Sequence, residues 1–184
     1  RSFLKEQNIG LASVRAGNVI GGGDWASDRL IPDILKSFDV NEPVIVRNPN
    51  ATRPWQHVLE PLSGYLVLAQ KLYDNCDEYA EGWNFGPDEK DVQPVNWVLD
   101  KMISNWSNSS WSNDNNINPY EAGYLKLDIS KAREKLGWRP TWALDSALGR
   151  IINWHKAWKN KEDMQLLCLK EIEEYMEDMS NENP

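Results

Sequence analysis

Short apolar runs alternate with amphipathic segments along this chain, which is the pattern of an α/β protein. Apolar runs bounded by Gly, Pro or Asn predict strands, and they occupy residues 11–16, 43–47, 55–58, 83–85 and 124–127. Apolar residues three or four positions apart predict helices, which begin near residues 29, 59, 95, 128, 143 and 162. We therefore expect an α/β fold.

Several details follow from local sequence. The run at 11–16 predicts a buried strand, and the three consecutive glycines within residues 17–26 predict a loop. Residues 48–54 and the Asn- and Ser-rich stretch 104–118 are also expected to be loops. Ser27 or Asp28 is expected to cap the helix that begins near residue 29. On the helix after residue 58, the apolar residues at helical spacing are Leu59, Leu62, Leu66, Ala69 and Tyr73.

Composition narrows the function classes. The 184 residues include 20 Lys+Arg and 28 Asp+Glu, for a net charge of −8, which disfavours a general nucleic-acid binder. No run of about 18 apolar residues occurs, so no membrane helix is expected. With two cysteines, two histidines and no Cys-x-x-Cys pair, no metal site is expected. The cysteine usage favours a reduced, cytoplasmic setting.

Polar residues at the ends of predicted elements are the candidate ligand-binding groups. Asn18 follows the strand at 11–16, and ligands of open parallel sheets bind beyond the carboxyl ends of strands. Arg29, Arg47 and Arg53 flank predicted loops and could form an anion pocket, because a guanidinium binds phosphate oxygens bidentately. The alternatives are a local turn at Asn18 and three separate solvated arginines.

Other conspicuous residues favour structural roles. His57 has no metal or nucleophile partner nearby in sequence and is interpreted as a satisfied, partly buried histidine. The helical spacing of the tryptophans predicts core packing for Trp138, Trp142, Trp154 and Trp158. Trp25 and Trp55 each lie beside a polar candidate residue, and the sequence assigns them neither a packing role nor a binding role. The sequence contains no phosphate-binding Gly-x-x-x-x-Gly-Lys, no Gly-x-Ser-x-Gly and no Gly-x-Gly-x-x-Gly motif.

The chain resembles the extended short-chain dehydrogenase/reductase family, also described as the NAD-dependent epimerase/dehydratase family. The stretches that carry the resemblance are VRAGNVIGGGDW at 14–25, DRLIPDI at 28–34, RPWQHVLEP at 53–61, GWNFGP at 82–87, YLKLD at 124–128, GRII at 149–152 and WHKAW at 154–158. Within the family, the chain most resembles the branch that dehydrates CDP-glucose. The dTDP-glucose dehydratases and UDP-galactose epimerases more often have Arg-Asp before the aromatic residue, where this chain has Arg53-Pro54.

The resemblance implies a Rossmann half that binds NAD and a second half that binds the sugar nucleotide. The family's Tyr-x-x-x-Lys pair does not occur in this sequence, so the chain is similar to the C-terminal half alone. The implied fold is the C-terminal part of a Rossmann-type parallel sheet plus a small α/β substrate-binding domain. Residues 1–24 would end the NAD-binding domain, and 25–184 would be mainly substrate domain, with 55–75 returning to the sheet.

The resemblance also assigns roles residue by residue. Asn18 would contact the substrate near its sugar and diphosphate, and Arg53 would bind the diphosphate. Arg29 and Leu30 would line the nucleotide, and Arg47 would lie near the base or ribose. The remaining two assignments are Asn84 as a weaker substrate contact, and Ala16 and Gly17 as neighbours of the nicotinamide ring. No catalytic residue is assigned within this chain.

The implied reaction converts CDP-glucose to CDP-4-keto-6-deoxyglucose, a precursor of deoxy sugars in surface polysaccharides. NAD takes hydride from C4, water is lost across C5 and C6, and hydride returns to C6. The alternatives are a related epimerase or a dehydratase for another nucleotide, and a non-catalytic sugar-nucleotide-binding protein. The resemblance further implies a homo-oligomer.

Overall fold

The computed structural model describes residues 9–106, 109–114, 116 and 122–182. The strands are β1 Ser13–Ala16, β2 Asn18–Ile20, β3 Val44–Val46, β4 Thr52–His57, β5 Gly82–Phe85, β6 Val92–Pro94 and β7 Trp111–Asn113. The α-helices are α1 Leu30–Val40, α2 Leu59–Asp74, α3 Cys76–Tyr79, α4 Val95–Ser104, α5 Ser130–Leu136, α6 Leu144–Lys159 and α7 Met164–Glu182. A 3₁₀ turn covers Glu89–Asp91. The expected α/β fold is confirmed.

The strands form three small groups. Parallel pairs join β1 to β5, β2 to β4 and β3 to β7, and β6 pairs antiparallel with β4. The chain from β1 into β2 therefore changes partners at Gly17. A Cβ on Gly17 would lie 2.2 Å from the Pro54 carbonyl oxygen, so a side chain there would prevent this close approach.

Two clusters make up the core. The larger one packs α1, β3, α4 and α6 around residues such as Ile34, Phe38, Val98 and Ile151. The smaller one packs β5 against α2 and α5 and is centred on Trp83 and Phe85, with Trp138 beside it.

The extents of the helices agree with the sequence pattern, but two details were wrong. The N-cap residue of α1 is Arg29, not Ser27 or Asp28, and it caps through no side-chain hydrogen bond. On α2 the buried residues are Glu60, Pro61, Gly64 and Leu68, whereas Leu62, Leu66 and Tyr73 are 45%, 74% and 92% exposed. The spacing of apolar residues on α2 therefore predicted the wrong face of the helix to be buried.

That choice of face has a clear physical cause. The Glu60 carboxylate is fully buried and accepts hydrogen bonds from the backbone N–H groups of Thr141 and Trp142 at 2.9 and 2.7 Å, and from the Tyr175 hydroxyl at 2.8 Å. A buried carboxylate is stable only when paired in this way. Glu60 thus joins the start of α2 to the segment before α6 and to the C-terminal helix α7.

The strand predictions also needed correction. Residues 18–20 form β2 and 52–54 belong to β4, although both stretches were predicted as loop. The predicted polar loop 104–118 contains β7, which pairs with β3; residues 107, 108, 115, 117 and 118 of it lie outside the described residues. Residues 124–127 form only a single bridge, between Tyr124 and Thr52. β1 is mostly exposed rather than buried, because β5 is its one partner among the described residues.

The glycine-rich loop after β2 packs against the end of α6. A Cβ on Gly22 would lie 2.2 Å from the Trp154 ring, so the indole occupies the space that a side chain would need. Trp25 packs on Trp158, with ring centroids 4.5 Å apart. Trp158 itself is 43% exposed, which corrects its predicted place in the core. Among the described helices, none has the length and apolar character required to cross a membrane.

Candidate functional site

An open cleft of about 470 Å³ lies between the end of the sheet and the start of α1. Its walls come from β2, the loop into α1, the end of β3, and β4. The cleft brings together most of the predicted site residues, which are separated by up to 36 positions in the sequence: Gly17, Asn18, Arg29, Leu30, Arg47 and Arg53. The fold therefore brings six of the eight predicted site residues to one cleft.

The strand register fixes two of these residues. Asn18 is the first residue of β2 and lies opposite Trp55 of β4. Arg53 lies two positions before Trp55, opposite Gln93 of β6. The Trp55 indole donates to the Gln93 carbonyl oxygen at 3.0 Å, which anchors this part of β4 against β6. The amide of Asn18 and the guanidinium of Arg53 are thus carried by neighbouring paired strands.

Arg53 is a buried arginine. Its residue is only 7% exposed, yet it lines the cleft. One guanidinium nitrogen, Nη1, donates to the Thr52 carbonyl oxygen at 2.9 Å. A guanidinium has five N–H donors in a fixed plane. A backbone hydrogen bond that fixes this plane favours the bidentate binding of a diphosphate or carboxylate.

Arg29 and Arg47 are in different surroundings. Arg29 is exposed, and its Nη1 lies 3.4 Å from Oδ2 of Asp24, which also lines the cleft. Arg47 follows β3, is exposed and also lines the cleft. Because Asp24 partly neutralises Arg29, an anion in this cleft would be attracted mainly by the other two arginines.

The structure adds lining residues that the sequence did not reveal. Asp24, Asp28 and Asp33 also line the cleft, so its formal charge is balanced rather than strongly positive. Asp33 lies 3.7 Å from Lys36, one turn further along α1. The sequence feature that could have identified Asp24 is its position directly after the three consecutive glycines. Its pairing with Arg29 depends on how the loop folds, and the sequence does not show that.

Two predicted residues lie away from the cleft. Asn84 is in β5, opposite Arg15, and its amide nitrogen donates to the Asp128 carbonyl oxygen at 3.0 Å. Its Oδ1 is buried without a hydrogen-bond partner among the described residues. Ala16 ends β1 opposite Phe85 and does not line the cleft, whereas the next residue, Gly17, does.

His57 follows this stretch of β4, but its environment is structural. It is almost fully buried, its ring lies 5.0 Å from that of Trp142, and the backbone N–H of Leu59 donates to its Nδ1 at 3.4 Å. Burial, together with the positive charge of Arg150, lowers the pKa of His57 to about 4. The ring is therefore neutral at physiological pH, in agreement with the predicted role of a satisfied histidine.

The polar side chains of the described cleft lining are amides, guanidinium groups and carboxylates. Within the described ranges, no group of three His, Cys, Asp or Glu side chains is placed to hold a metal ion. Asn18 and the arginines can bind and orient an anionic, hydroxyl-rich ligand through their amide and guanidinium N–H groups. The arrangement suits the binding of a polar, anionic ligand.

A curated CDP-glucose 4,6-dehydratase from Salmonella typhimurium is 58% identical to this chain over 173 residues, which are 94% of the chain and 48% of that protein. The chain is a homologue of this dehydratase. It spans about half the length of that relative. No family model matched the chain.

Solved structures support the fold. A dTDP-glucose 4,6-dehydratase from Bacillus anthracis in complex with NAD matches 90% of this chain and 50% of its own, with a TM-score of 0.66 and 16% identity. A UDP-glucose-4-epimerase from Stenotrophomonas maltophila with bound NAD matches 86% of this chain and 51% of its own, with a TM-score of 0.71 and 17% identity. The Rossmann-like fold implied by the sequence resemblance is therefore confirmed.

Proposed function

We propose that this chain is the sugar-nucleotide-binding half of an NAD-dependent dehydratase that converts CDP-glucose to CDP-4-keto-6-deoxyglucose and water. The observation that carries the proposal is the convergence of Asn18, Arg47 and Arg53 on one cleft. The identity to the Salmonella dehydratase favours this reaction over that of a related epimerase.

Within the cleft, each residue has a role that its chemistry supports. Arg53 would bind the diphosphate, since it is buried and its guanidinium is held by a backbone carbonyl. Asn18, on the neighbouring strand, would bind the sugar hydroxyls and the adjacent phosphate. Arg29 and Leu30 would line the nucleotide, and Arg47 would lie near the base or ribose.

The contribution of this chain to the NAD site would be small. Ala16 and Gly17 lie at the carboxyl end of β1, where they could border the nicotinamide ring. The backbone N–H of Gly17 already donates to the Phe85 carbonyl oxygen at 3.2 Å, and Pro54 lies against its α-carbon. The sequence has neither the glycine motif for the dinucleotide phosphates nor the Tyr-x-x-x-Lys pair. Ala16 and Gly17 could therefore border NAD, but they could not hold it.

NAD and the residues of this chain would therefore have different roles in the reaction. When bound, NAD supplies the hydride chemistry. The residues of this chain would hold the hexose and the diphosphate in a fixed orientation, which lowers the entropic cost of reaching the reactive geometry. We therefore predict that the 184-residue chain alone does not dehydrate CDP-glucose. Formation of the 4-keto product by the purified chain would contradict this division.

Replacement of Arg53 is the direct test of the binding site. Arg53→Ala should weaken the binding of CDP and CDP-glucose by about 1.5–3 kcal/mol, the range for a hydrogen bond to a charged group. Arg53→Lys should restore only part of the loss, because an ammonium cannot bind bidentately. Titration calorimetry on the protein as its gene encodes it measures both effects.

Arg139→Ala is the matched control, since Arg139 is exposed and lies outside the cleft. It should leave CDP affinity unchanged. Equal CDP affinity for the wild type and Arg53→Ala would refute the diphosphate role and return Arg53 to a purely structural one. A homo-oligomer, a cytoplasmic location and a place in the formation of deoxy sugars remain parts of this proposal.

A further inference from the structure

A second depression continues the cleft beyond Arg47. It encloses about 520 Å³, and its polar lining consists of Arg47, Asn48, Asn50, Asn113 and Asp114. We call it the amide pocket after its three asparagines. Arg47, Asn48 and Ala51 line both the cleft and the amide pocket, so a ligand in one can extend into the other.

One wall of the amide pocket is the turn between β3 and β4. The turn is closed by a hydrogen bond from the backbone N–H of Ala51 to the Asn48 carbonyl oxygen at 3.1 Å. The start of α4 holds it from outside, because the N–H groups of Val95 and Asn96 donate to the carbonyl oxygens of Ala51 and Pro49 at 3.0 and 2.8 Å. This wall is therefore fixed before any ligand arrives.

A second part of the lining is the end of β7 and the residue that follows it, Asp114. The backbone N–H of Asp114 donates to the Val46 carbonyl oxygen at 2.7 Å, which ties Asp114 to the end of β3. Oδ1 of the Asp114 carboxylate accepts the backbone N–H of Asn116 at 2.9 Å and the side-chain amide of Asn116 at 2.7 Å. A carboxylate can accept about four hydrogen bonds in all. Asp114 is thus an oriented acceptor in the amide pocket, beside Arg47, because the parallel register that pairs Val46 with Asn113 leaves the next two residues as neighbours.

These two charged residues are complementary in hydrogen bonding. Arg47 can only donate, and an ionised Asp114 can only accept. Cytosine has a matching edge, because its 4-amino group donates and its neighbouring N3 and O2 atoms accept. Uracil and thymine have an acceptor, O4, in place of the amino group, which would face the carboxylate unfavourably.

We propose that the amide pocket binds the base of the substrate and selects cytosine through Asp114 and Arg47. The inference rests on the proposed function, because it places the diphosphate at Arg53 and leads the nucleoside past Arg47 into the amide pocket. Asp114 accepts from the 4-amino group, Arg47 donates to the ring acceptors, and the asparagine amides complete the contacts.

The test compares the binding of CDP and UDP to Asp114→Asn, measured by calorimetry on the protein as its gene encodes it. The amide keeps an oxygen for the Asn116 turn, and its NH₂ group can donate to O4 of uracil. The ratio of CDP to UDP affinity should fall by at least roughly tenfold, within the range of one good base contact. Arg47→Gln, which can both donate and accept, should shift the ratio in the same direction.

Asp163→Asn is the matched control. Oδ1 of Asp163 accepts the backbone N–H two residues later, that of Gln165, at 3.0 Å, as Oδ1 of Asp114 accepts that of Asn116, but Asp163 precedes α7 and lines neither the cleft nor the amide pocket. It should leave the ratio unchanged. An unchanged ratio in both Asp114→Asn and Arg47→Gln, or equal losses for CDP and UDP, would overturn the proposal.

The two proposals fail in different ways. If Arg53→Ala leaves CDP affinity intact, the diphosphate site and the proposed function fail together with the base pocket. If Arg53→Ala weakens CDP and UDP alike while Asp114→Asn changes neither, the diphosphate site stands and the amide pocket is not the base site.

Discussion

β4 and β1 are both short strands that pair in parallel with one neighbour, yet they lie in opposite environments. Five of the six residues of β4 are buried, whereas three of the four residues of β1 are exposed. β4 has partners on both sides, β2 and β6, while β1 has β5 alone among the described residues. Burial of a strand therefore depends on its neighbours more than on its own apolar content.

The difference bears on function. β4 carries Arg53, which lines the cleft, and Trp55 and His57, which anchor it. The larger core cluster surrounds this region. β1 ends at Ala16, and we propose that Ala16 and the next residue, Gly17, border the nicotinamide ring. The substrate side of the proposed site is thus built from residues of this chain, and the cofactor side ends at a strand whose second edge has no described partner.

The largest expected effect concerns the buried end of β4. His57 has a folded pKa of about 4, below its ordinary value of 6.5. Between these values the unfolded chain binds a proton that the folded chain does not, so stability falls as the pH drops from 6.5 to 4. The loss should be about 1.4 kcal/mol per pH unit, or about 3 kcal/mol in all, and no further change from His57 is expected above pH 6.5.

Urea unfolding of wild type and His57→Asn at several pH values between 7.5 and 4 measures this loss. The variant should be less stable at pH 7.5 but should lose less on acidification, because other titrating groups act equally in both proteins and cancel in the difference. Parallel stability curves for the two proteins would mean that His57 is accessible to solvent, and the contrast between β4 and β1 would weaken.

The second expected effect is on stability, and it compares a glycine of α2 beside β5, the partner strand of β1, with a glycine of α6. Gly64 lies within α2, where a Cβ would come within 2.3 Å of the Phe85 ring on β5. Gly149 lies within α6, where a Cβ would meet nothing within 4 Å. Gly64→Ala should cost about 1–3 kcal/mol through overpacking. Gly149→Ala should stabilise by about 0.5–1 kcal/mol through helix propensity.

Chemical denaturation of the two variants is a matched comparison, since each changes one helical glycine to alanine. Opposite signs are expected. If Gly64→Ala were neutral, the smaller core cluster would be loose enough to absorb a methyl group, and the packing of α2 on β5 would be less tight than the contact implies.

The elements themselves were largely predictable because they follow local rules. Gly137 ends α5 in the left-handed conformation, with φ of 67°, as a C-terminal glycine after a short helix suggests. The arginines of the cleft could be selected because this residue type at loop boundaries suits anion binding. What failed depended on contacts distant in sequence. Glu60 is buried because the segment before α6 and Tyr175 of α7 supply its donors, and no local pattern on α2 shows this.

The same limit explains the misread loops. β7 has a polar sequence, and it forms a strand because the backbone of β3 pairs with it. Pro54 has no N–H to donate, which favoured a loop at 48–54, but it lies in β4 opposite Val92 of the short strand β6. The neutralisation of Arg29 by Asp24 likewise arises only once the glycine-rich loop is folded.

The smallest expected change in stability concerns the exposed strand. Val14 is 41% exposed and lies opposite Trp83, on a strand whose other edge has no described partner. An apolar strand edge invites pairing with another molecule, so we expect the chain expressed alone to be poorly soluble. Val14→Lys should change the free energy of unfolding by no more than about 0.5 kcal/mol, yet it should raise the soluble, monomeric fraction, as charged edge residues do.

Leu66→Lys is the control, because Leu66 is 74% exposed on a helix and offers no strand edge. Light scattering over a concentration series separates the causes: an equal gain from both variants would point to general surface hydrophobicity, and a larger gain from Val14→Lys would identify the edge of β1 as the site of association.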